Sequence, residues 1–401
     1  MERIYETLLS DHFANNRQMA FLSGPRQVGK TTLAEAALPD AAVLNYDKAA
    51  DARVIAAGAD RVAEAADLAD PLAVRRGVVF DELPKFPKWK GLLKGFFDAY
   101  GKGLKIAVTG SARLDVYKRG GDSLMGRCIP YRVHPLTLGE LGGTGVDLER
   151  PFRDPAPVGR GTLDALLKLG GYPEPFLRGE QRFYNQWKRL RLERLFSEDV
   201  RDLSRIQDIR GVRTLAELLA SRVGGGTNAA GLAADLSVSP DTVSAWIGTL
   251  ESLYWCFEVR PWFRNVANSI RKQPKTYLWD WSLAPEGGAR AENFVASHLL
   301  KSVHWWTDSG LGDFSLHYLR TKTGAEVDFL VAKDNEPFVL VECKESSRAP
   351  LSPALVAFRE SLGVPWAFQV ALDGDATGLD PREFENRPAK LSVLDFFKIL
   401  V

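Results

Sequence analysis

The chain has 401 residues, 45% of them apolar, with 52 Lys and Arg set against 51 Asp and Glu. That length suits about two to four domains, and the composition excludes a disordered chain. A formal charge of +1 excludes any general attraction to nucleic acid, so such binding must come from local basic patches.

From the amino terminus, Met1 to Ser10 lack an apolar signal core, and no apolar run in the chain reaches membrane-spanning length. Cys128, Cys256 and Cys343 are scattered, without metal-ligand spacing, which points to a reducing compartment and away from zinc. The expectation is a cytoplasmic protein without a membrane partner.

Gln18 to Ser23 is a short apolar run with strand character, and Thr32 to Leu38 is strongly helix-forming. Between them lies Gly24-Pro25-Arg26-Gln27-Val28-Gly29-Lys30-Thr31-Thr32, the G-x-x-x-x-G-K-[ST] pattern of a phosphate loop. Glycines let the backbone N–H groups wrap onto phosphate oxygens. Lys30 would set a cation between the β- and γ-phosphates, Thr31 would offer its hydroxyl to Mg²⁺, and the following helix adds its positive dipole end. ATP and Mg²⁺ are therefore the expected ligands.

Val43 to Tyr46 reads as another strand, and the Ala-rich residues 49–69 as helices. Gly77-Val-Val-Phe-Asp-Glu82 is a buried strand ending in two carboxylates at a ligand crevice. Asp81 is expected to hold the metal, directly or through water, and Glu82 to polarise the attacking water; taken alone the pair could equally be solvated acids. Leu104 to Ser111 is a strand that would bring Thr109 or Ser111 beside the γ-phosphate. The turn Gly120 to Gly126 leads to Arg127, a candidate finger across a subunit boundary in a homo-oligomer. Arg113, Arg119 and Arg132 compete for that role, and an internal ion pair is the plainer reading of Arg127. Cys128 to Val133 supplies a last strand. The class is α/β, a P-loop parallel sheet with helices on both faces, over residues 1–150.

Residues 142–161 carry Gly and Pro throughout and read as a linker. Within the region 151–222, helical periodicity dominates Leu163 to Arg222, broken at Gly170 to Pro175. Residues 223–275 hold two helices in helix-turn-helix spacing, with Ser239 as cap, Pro240 at the first position, and Val243, Ile247 and Leu250 as an apolar stripe. Arg264, Arg271, Lys272 and Lys275 follow as a possible wing. The exposed face of the second helix, however, offers Asp241, Thr242, Ser244 and Thr249 and no cation, so a protein-contacting spacer stands beside the DNA reading.

Residues 276–401 carry a second constellation. Glu292 lies near the start of a helix, Asp328 in an apolar strand, and Glu342 and Lys344 at the end of another. The period of a strand puts Glu342 and Lys344 on one face. With Asp328 they would give two carboxylates for a metal and an ammonium near water; Glu326 competes with Asp328, and a solvated strand face is the alternative.

Several segments together resemble a known family, the AAA-type ATPases carrying the C-terminal domain DUF4143. They are GPRQVGKTTL, VVFDELPKFPKWK, VTGSARLDVYKRGGDSLMGR, YRVHPLTLGEL, GGYPEPFL, LERLFSEDVRDL, KTYLWDWSLA, EVDFLV and VECK. The resemblance implies an ATP-binding domain, a helical lid, a winged-helix-like segment and a tail of the PD-(D/E)xK nuclease fold, in which Glu292, Asp328, Glu342 and Lys344 match the motif. The leading expectation is an Mg²⁺-dependent ATPase associated with DNA, its nucleotide state controlling the nuclease-like tail. An ATP-gated metal nuclease and a non-enzymatic switch docking a protein partner remain beside it.

Overall fold

The computed structural model describes residues 1–68, 77–111, 124–143, 145–203, 206–263 and 273–401. The chain divides into two compact units, Met1–His134 and Pro135–Val401.

The first unit is built on a five-stranded, all-parallel sheet of β1 (Met19–Ser23), β2 (Ala42–Asn45), β3 (Gly77–Asp81), β4 (Lys105–Gly110) and β5 (Cys128–Arg132), in the order β2-β3-β4-β1-β5. Every residue of β1 and β3 is buried, as a sheet covered on both faces requires of its inner strands. Strand periodicity divides their side chains. Met19, Phe21, Val78, Phe80, Ile106 and Val108 pack with Ile55, Val62, Leu93 and Phe96 from the helices Ala49–Ala57, Ala59–Ala65 and Trp89–Tyr100. The alternate residues Ala20, Leu22, Val79 and Ala107 are equally buried, and the helix Lys30–Ala37 packs against β1, β3 and β4.

Register places the site. Asn45 pairs with Asp81 across β2 and β3, Phe80 with Val108 across β3 and β4, and Leu22 with Thr109 across β4 and β1. Asn45, Asp81 and Thr109 therefore stand in one row at the carboxyl edge, where ligands of open parallel sheets bind.

The second unit begins with helices. Arg160–Leu169 and Pro173–Arg178 meet at the Gly170–Tyr172 corner, and Gln181–Arg194 continues through a π-helical turn at Leu195–Asp199. Leu169, Tyr172, Tyr184 and Trp187 form a small core among them. A methyl group on Gly171 would meet the Leu136 carbonyl oxygen at 2.4 Å and the Trp281 ring at 2.5 Å, so the corner needs glycine to close. The helices Ala229–Leu236 and Pro240–Ser252 follow, the second capped by Ser239, whose hydroxyl accepts from Thr242 N at 3.1 Å.

A mixed seven-stranded sheet completes the unit: β6 (Cys256–Pro261), β7 (Lys275–Leu278), β8 (Phe314–Arg320), β9 (Glu326–Lys333), β10 (Glu336–Lys344), β11 (Trp366–Ala371) and β12 (Pro388–Ser392). Their order is β12-β11-β10-β9-β8-β6-β7. The β6–β7 pair is antiparallel and enters this sheet through Arg260–His317 and Pro261–Tyr318, so the wing position and the tail share one sheet. The helix Gly288–Asp308 packs on β7 to β10, and Pro353–Leu362 lies on an apolar cluster of Val327, Leu330, Leu340 and Ala367. Among the described residues no helix is long and apolar enough to cross a membrane.

Candidate functional site: a phosphate loop at the sheet edge

The loop from Gly24 to Gly29 leaves β1 and turns directly into the helix Lys30–Ala37. A methyl group on Gly24 would stand 2.3 Å from the Val133 carbonyl oxygen, and Gly29 and Gln27 have φ of 93° and 63°. Pro25 and Val28 are buried, Gln27 and Thr32 are exposed, and Arg26, Gly29 and Thr31 lie between. Arg3, from the start of the first helix, reaches beneath the loop. Its guanidinium donates to Val28 O at 2.9 Å and to His134 O at 2.8 Å, tying the loop to the chain after β5.

Lys30 is buried, and its ammonium donates to the carbonyls of Gly24 at 2.9 Å and Pro25 at 2.8 Å. Burial pulls its pKa down to about 8, against the support of Glu82 and Asp81, while Arg26 and Lys85 lower it further. Such an ammonium has a strong reason to donate to phosphate oxygens in place of these carbonyls.

Asp81 is the hub of the edge. Its Oδ1 accepts from the Thr31 hydroxyl at 2.6 Å and the Thr109 hydroxyl at 2.6 Å, and its Oδ2 accepts from the Asn45 amide at 2.7 Å. Thr31 and Asp81 thus put two hard oxygen ligands side by side, a donor set suited to Mg²⁺ with further places left for water and phosphate. The residues present fit that ion.

Glu82 has φ 53°, a left-handed conformation rare for a non-glycine residue and costing about 1–3 kcal/mol. Its N–H donates to Thr109 Oγ1 at 3.1 Å, and its carboxylate accepts from Ser111 at 2.8 Å and faces Lys85 Nζ at 3.7 Å. Lys85 in turn pairs with Asp47 at 2.6 Å. Arg127 is held by Asp98 through two bonds of 2.8 and 2.9 Å at the surface of its own unit. Arg113 and Arg119 lie outside the described residues, as do Arg264, Arg271 and Lys272.

Two contributors escape motif reading. Asn45 is ordinary in sequence; its signal is its place at the carboxyl end of the strand next to Asp81. Arg3 lies outside any motif and is brought to the loop only by folding.

In the second unit, Glu292, Glu326, Asp328, Glu342 and Lys344 do gather. Lys344 Nζ donates to Glu342 at 2.7 Å, Asp328 Oδ2 accepts from Cys343 N at 2.9 Å, and Glu292 accepts from the Tyr277 hydroxyl at 2.5 Å. Burial, with Glu292 and Glu342 nearby, raises the Asp328 carboxyl to about 7. Into their midst comes Lys275, 2.6 Å from Glu326, 3.2 Å from Glu292 and 3.8 Å from Asp328. Among the described residues no three His, Cys, Asp or Glu side chains are disposed to hold a metal ion. The expected metal pair Asp328 and Glu342 stands in a set whose central cation is an ammonium, which does not suit a resident divalent ion.

A strand, a glycine loop and a capping helix over a parallel sheet, with a carboxylate hub on the neighbouring edge, define a P-loop nucleotide site. Residues 16–142 match the family described as an AAA domain, residues 160–287 a domain of unknown function (DUF8612), and residues 287–375 a domain of unknown function (DUF4143). The chain thus carries an AAA domain followed by those two regions. An uncharacterized protein of Mycobacterium tuberculosis is 26% identical over 356 residues, 84% of this chain and 72% of its own length. Another, of Methanocaldococcus jannaschii, is 22% identical over 326 residues, 78% and 71%. Among solved structures, a Walker-type ATPase of Pyrococcus abyssi covers 69% of this chain and 93% of its own at 18% identity and a TM-score of 0.43.

Proposed function

We propose that this chain binds and hydrolyses ATP at the loop Gly24–Thr32, with Mg²⁺ held by Thr31 and Asp81. The observation that carries the reading is Asp81 receiving Thr31, Thr109 and Asn45 at one sheet edge, directly beside the loop that encloses Lys30. Bound there, Mg²⁺ would screen the charge of the phosphates and the developing charge of the leaving group. The loop N–H groups and Lys30 bind and orient the phosphates, Lys30 giving up the Gly24 and Pro25 carbonyls. Asn45 and Thr109 fix the rotamer of Asp81. Glu82 accepts the proton of the attacking water, and Ser111 and Thr109 aim it.

Equilibrium binding of ATP tests the site. Lys30→Ala removes a charged donor worth about 1.5–3 kcal/mol, so affinity is expected to fall about 10- to 100-fold. Undiminished binding in that variant contradicts the assignment.

A second reading, a switch that binds ATP and turns over little, is favoured by one feature: the Glu82 carboxylate is engaged by Ser111 and faces Lys85. Ser111→Ala distinguishes the two, since a faster turnover in that variant identifies Ser111 as a restraint on Glu82. DNA association draws little support. The hydroxyls of the second helix in the helix-turn-helix pair are spent locally, Thr242 on Ser239, Ser244 on Pro240 O and Thr249 on Ala245 O.

A further inference from the structure

The acidic set of the second unit is assembled around a lysine. Strand periodicity puts Glu326 and Asp328 of β9 on one face, β10 brings Glu342 beside them, and the helix Gly288–Asp308 supplies Glu292. Lys275 opens β7 and enters from the other side. Its side chain is only 8% exposed, and its ammonium lies among Glu326, Glu292 and Asp328 with the Tyr318 ring centre 5.5 Å away. Lys344 neutralises Glu342, and Arg320 approaches Glu326 at 3.5 Å. Four carboxylates therefore face three cations, and the set is nearly neutral as it stands.

We propose that Lys275 is the resident cation of this site, holding the place a divalent metal would take beside Glu292 and Asp328, so that the site neither takes up Mg²⁺ nor cuts a phosphodiester. Mg²⁺ demands oxygen ligands at about 2.0–2.1 Å in octahedral array. The ammonium already stands 3.2 Å from Glu292 and 3.8 Å from Asp328, oxygens such an ion would need. An added divalent charge would leave the set with excess positive charge in a poorly solvated place, where unpaired charge is costly. The ion could enter only by expelling Lys275, which is anchored by the β6–β7 pairing of Lys275 with Val259. The lysine does for this fold what a metal does elsewhere: it lets buried carboxylates share one cation.

Uptake of Mn²⁺ by the nucleotide-free full chain, followed by the electron paramagnetic signal of the free ion, tests this in four proteins. Wild type and Asp328→Asn are expected to take up equal amounts. Lys275→Met is expected to bind one further ion per chain, with an affinity in the range of weak carboxylate sites, about 1 mM or tighter. Adding Asp328→Asn to Lys275→Met removes that ion again. An ion bound by wild type and lost in Asp328→Asn overturns the proposal, as does a folded Lys275→Met that gains nothing. Should Lys275→Met fail to fold, the comparison of wild type with Asp328→Asn decides by itself.

Discussion

Lys30 shows how one buried group sets a measurable behaviour of the whole site. Burial pulls its pKa to about 8. Phosphates favour the ammonium, so nucleotide binding raises that pKa. Below it the lysine is charged before and after binding, and affinity gains no pH dependence from this group. Above it binding takes up a proton, and affinity falls as pH rises. Titration calorimetry in buffers of different ionisation enthalpy is expected to show almost no proton uptake near about pH 7 and most of one proton near about pH 9. Arg3 acts by position instead. Arg3→Ala removes the donors to Val28 O and His134 O, an expected loss of about 1.5–3 kcal/mol in denaturant unfolding together with weaker ATP binding. Arg3→Lys, which retains charge but not the fork, is expected to recover only part.

At the scale of elements, the nucleotide loop was readable because chemistry fixes its residue types at fixed spacing, and its strand and helix follow in the neighbouring pattern. The partners of that loop were not readable. Arg3 and Asn45 become neighbours of the motif only through sheet order, which no local pattern states. The same holds for Lys275, a plausible wing residue in sequence and the centre of an acidic set in the fold. Glu326 illustrates the register problem: its face depended on the pairing of β9, and the structure turns it toward Lys275 beside Asp328. Gly24 gives an element-scale prediction. Gly24→Ala drives a methyl group into the Val133 carbonyl, so the loop and the end of β5 must part; about 1–3 kcal/mol is expected from unfolding curves, with ATP affinity reduced. In the second unit Lys301 and Glu140 form a fully buried ion pair, with Thr137 Oγ1 accepting from Lys301 at 3.0 Å. Glu140→Gln leaves that ammonium without its counter-charge, and a loss of about 3–5 kcal/mol is expected by chemical denaturation, whereas replacing both by Met and Leu is expected to cost far less.

For the whole molecule, the alternation of strands and helices pointed to the class of the first unit but not to its strand order, while the architecture of the second unit was legible only in pieces. The strands flanking the wing position join the sheet of the C-terminal region through Arg260 and Pro261, a non-local pairing that apolar runs alone cannot announce. The balance of charge also reads differently at this scale. A net charge of +1 leaves the acidic set of the second unit to be neutralised from within, and Lys275, Lys344 and Arg320 do so. Supercoiled plasmid incubated with the full chain, Mg²⁺ and ATP is therefore expected to stay intact. The central claim is hydrolysis at the first unit, and its most direct measurement is phosphate release from ATP by wild type and Glu82→Gln under saturating Mg²⁺–ATP. The account predicts turnover in wild type and a fall of about 10²-fold or more in Glu82→Gln with ATP still bound. Equal phosphate release by the two proteins would contradict it.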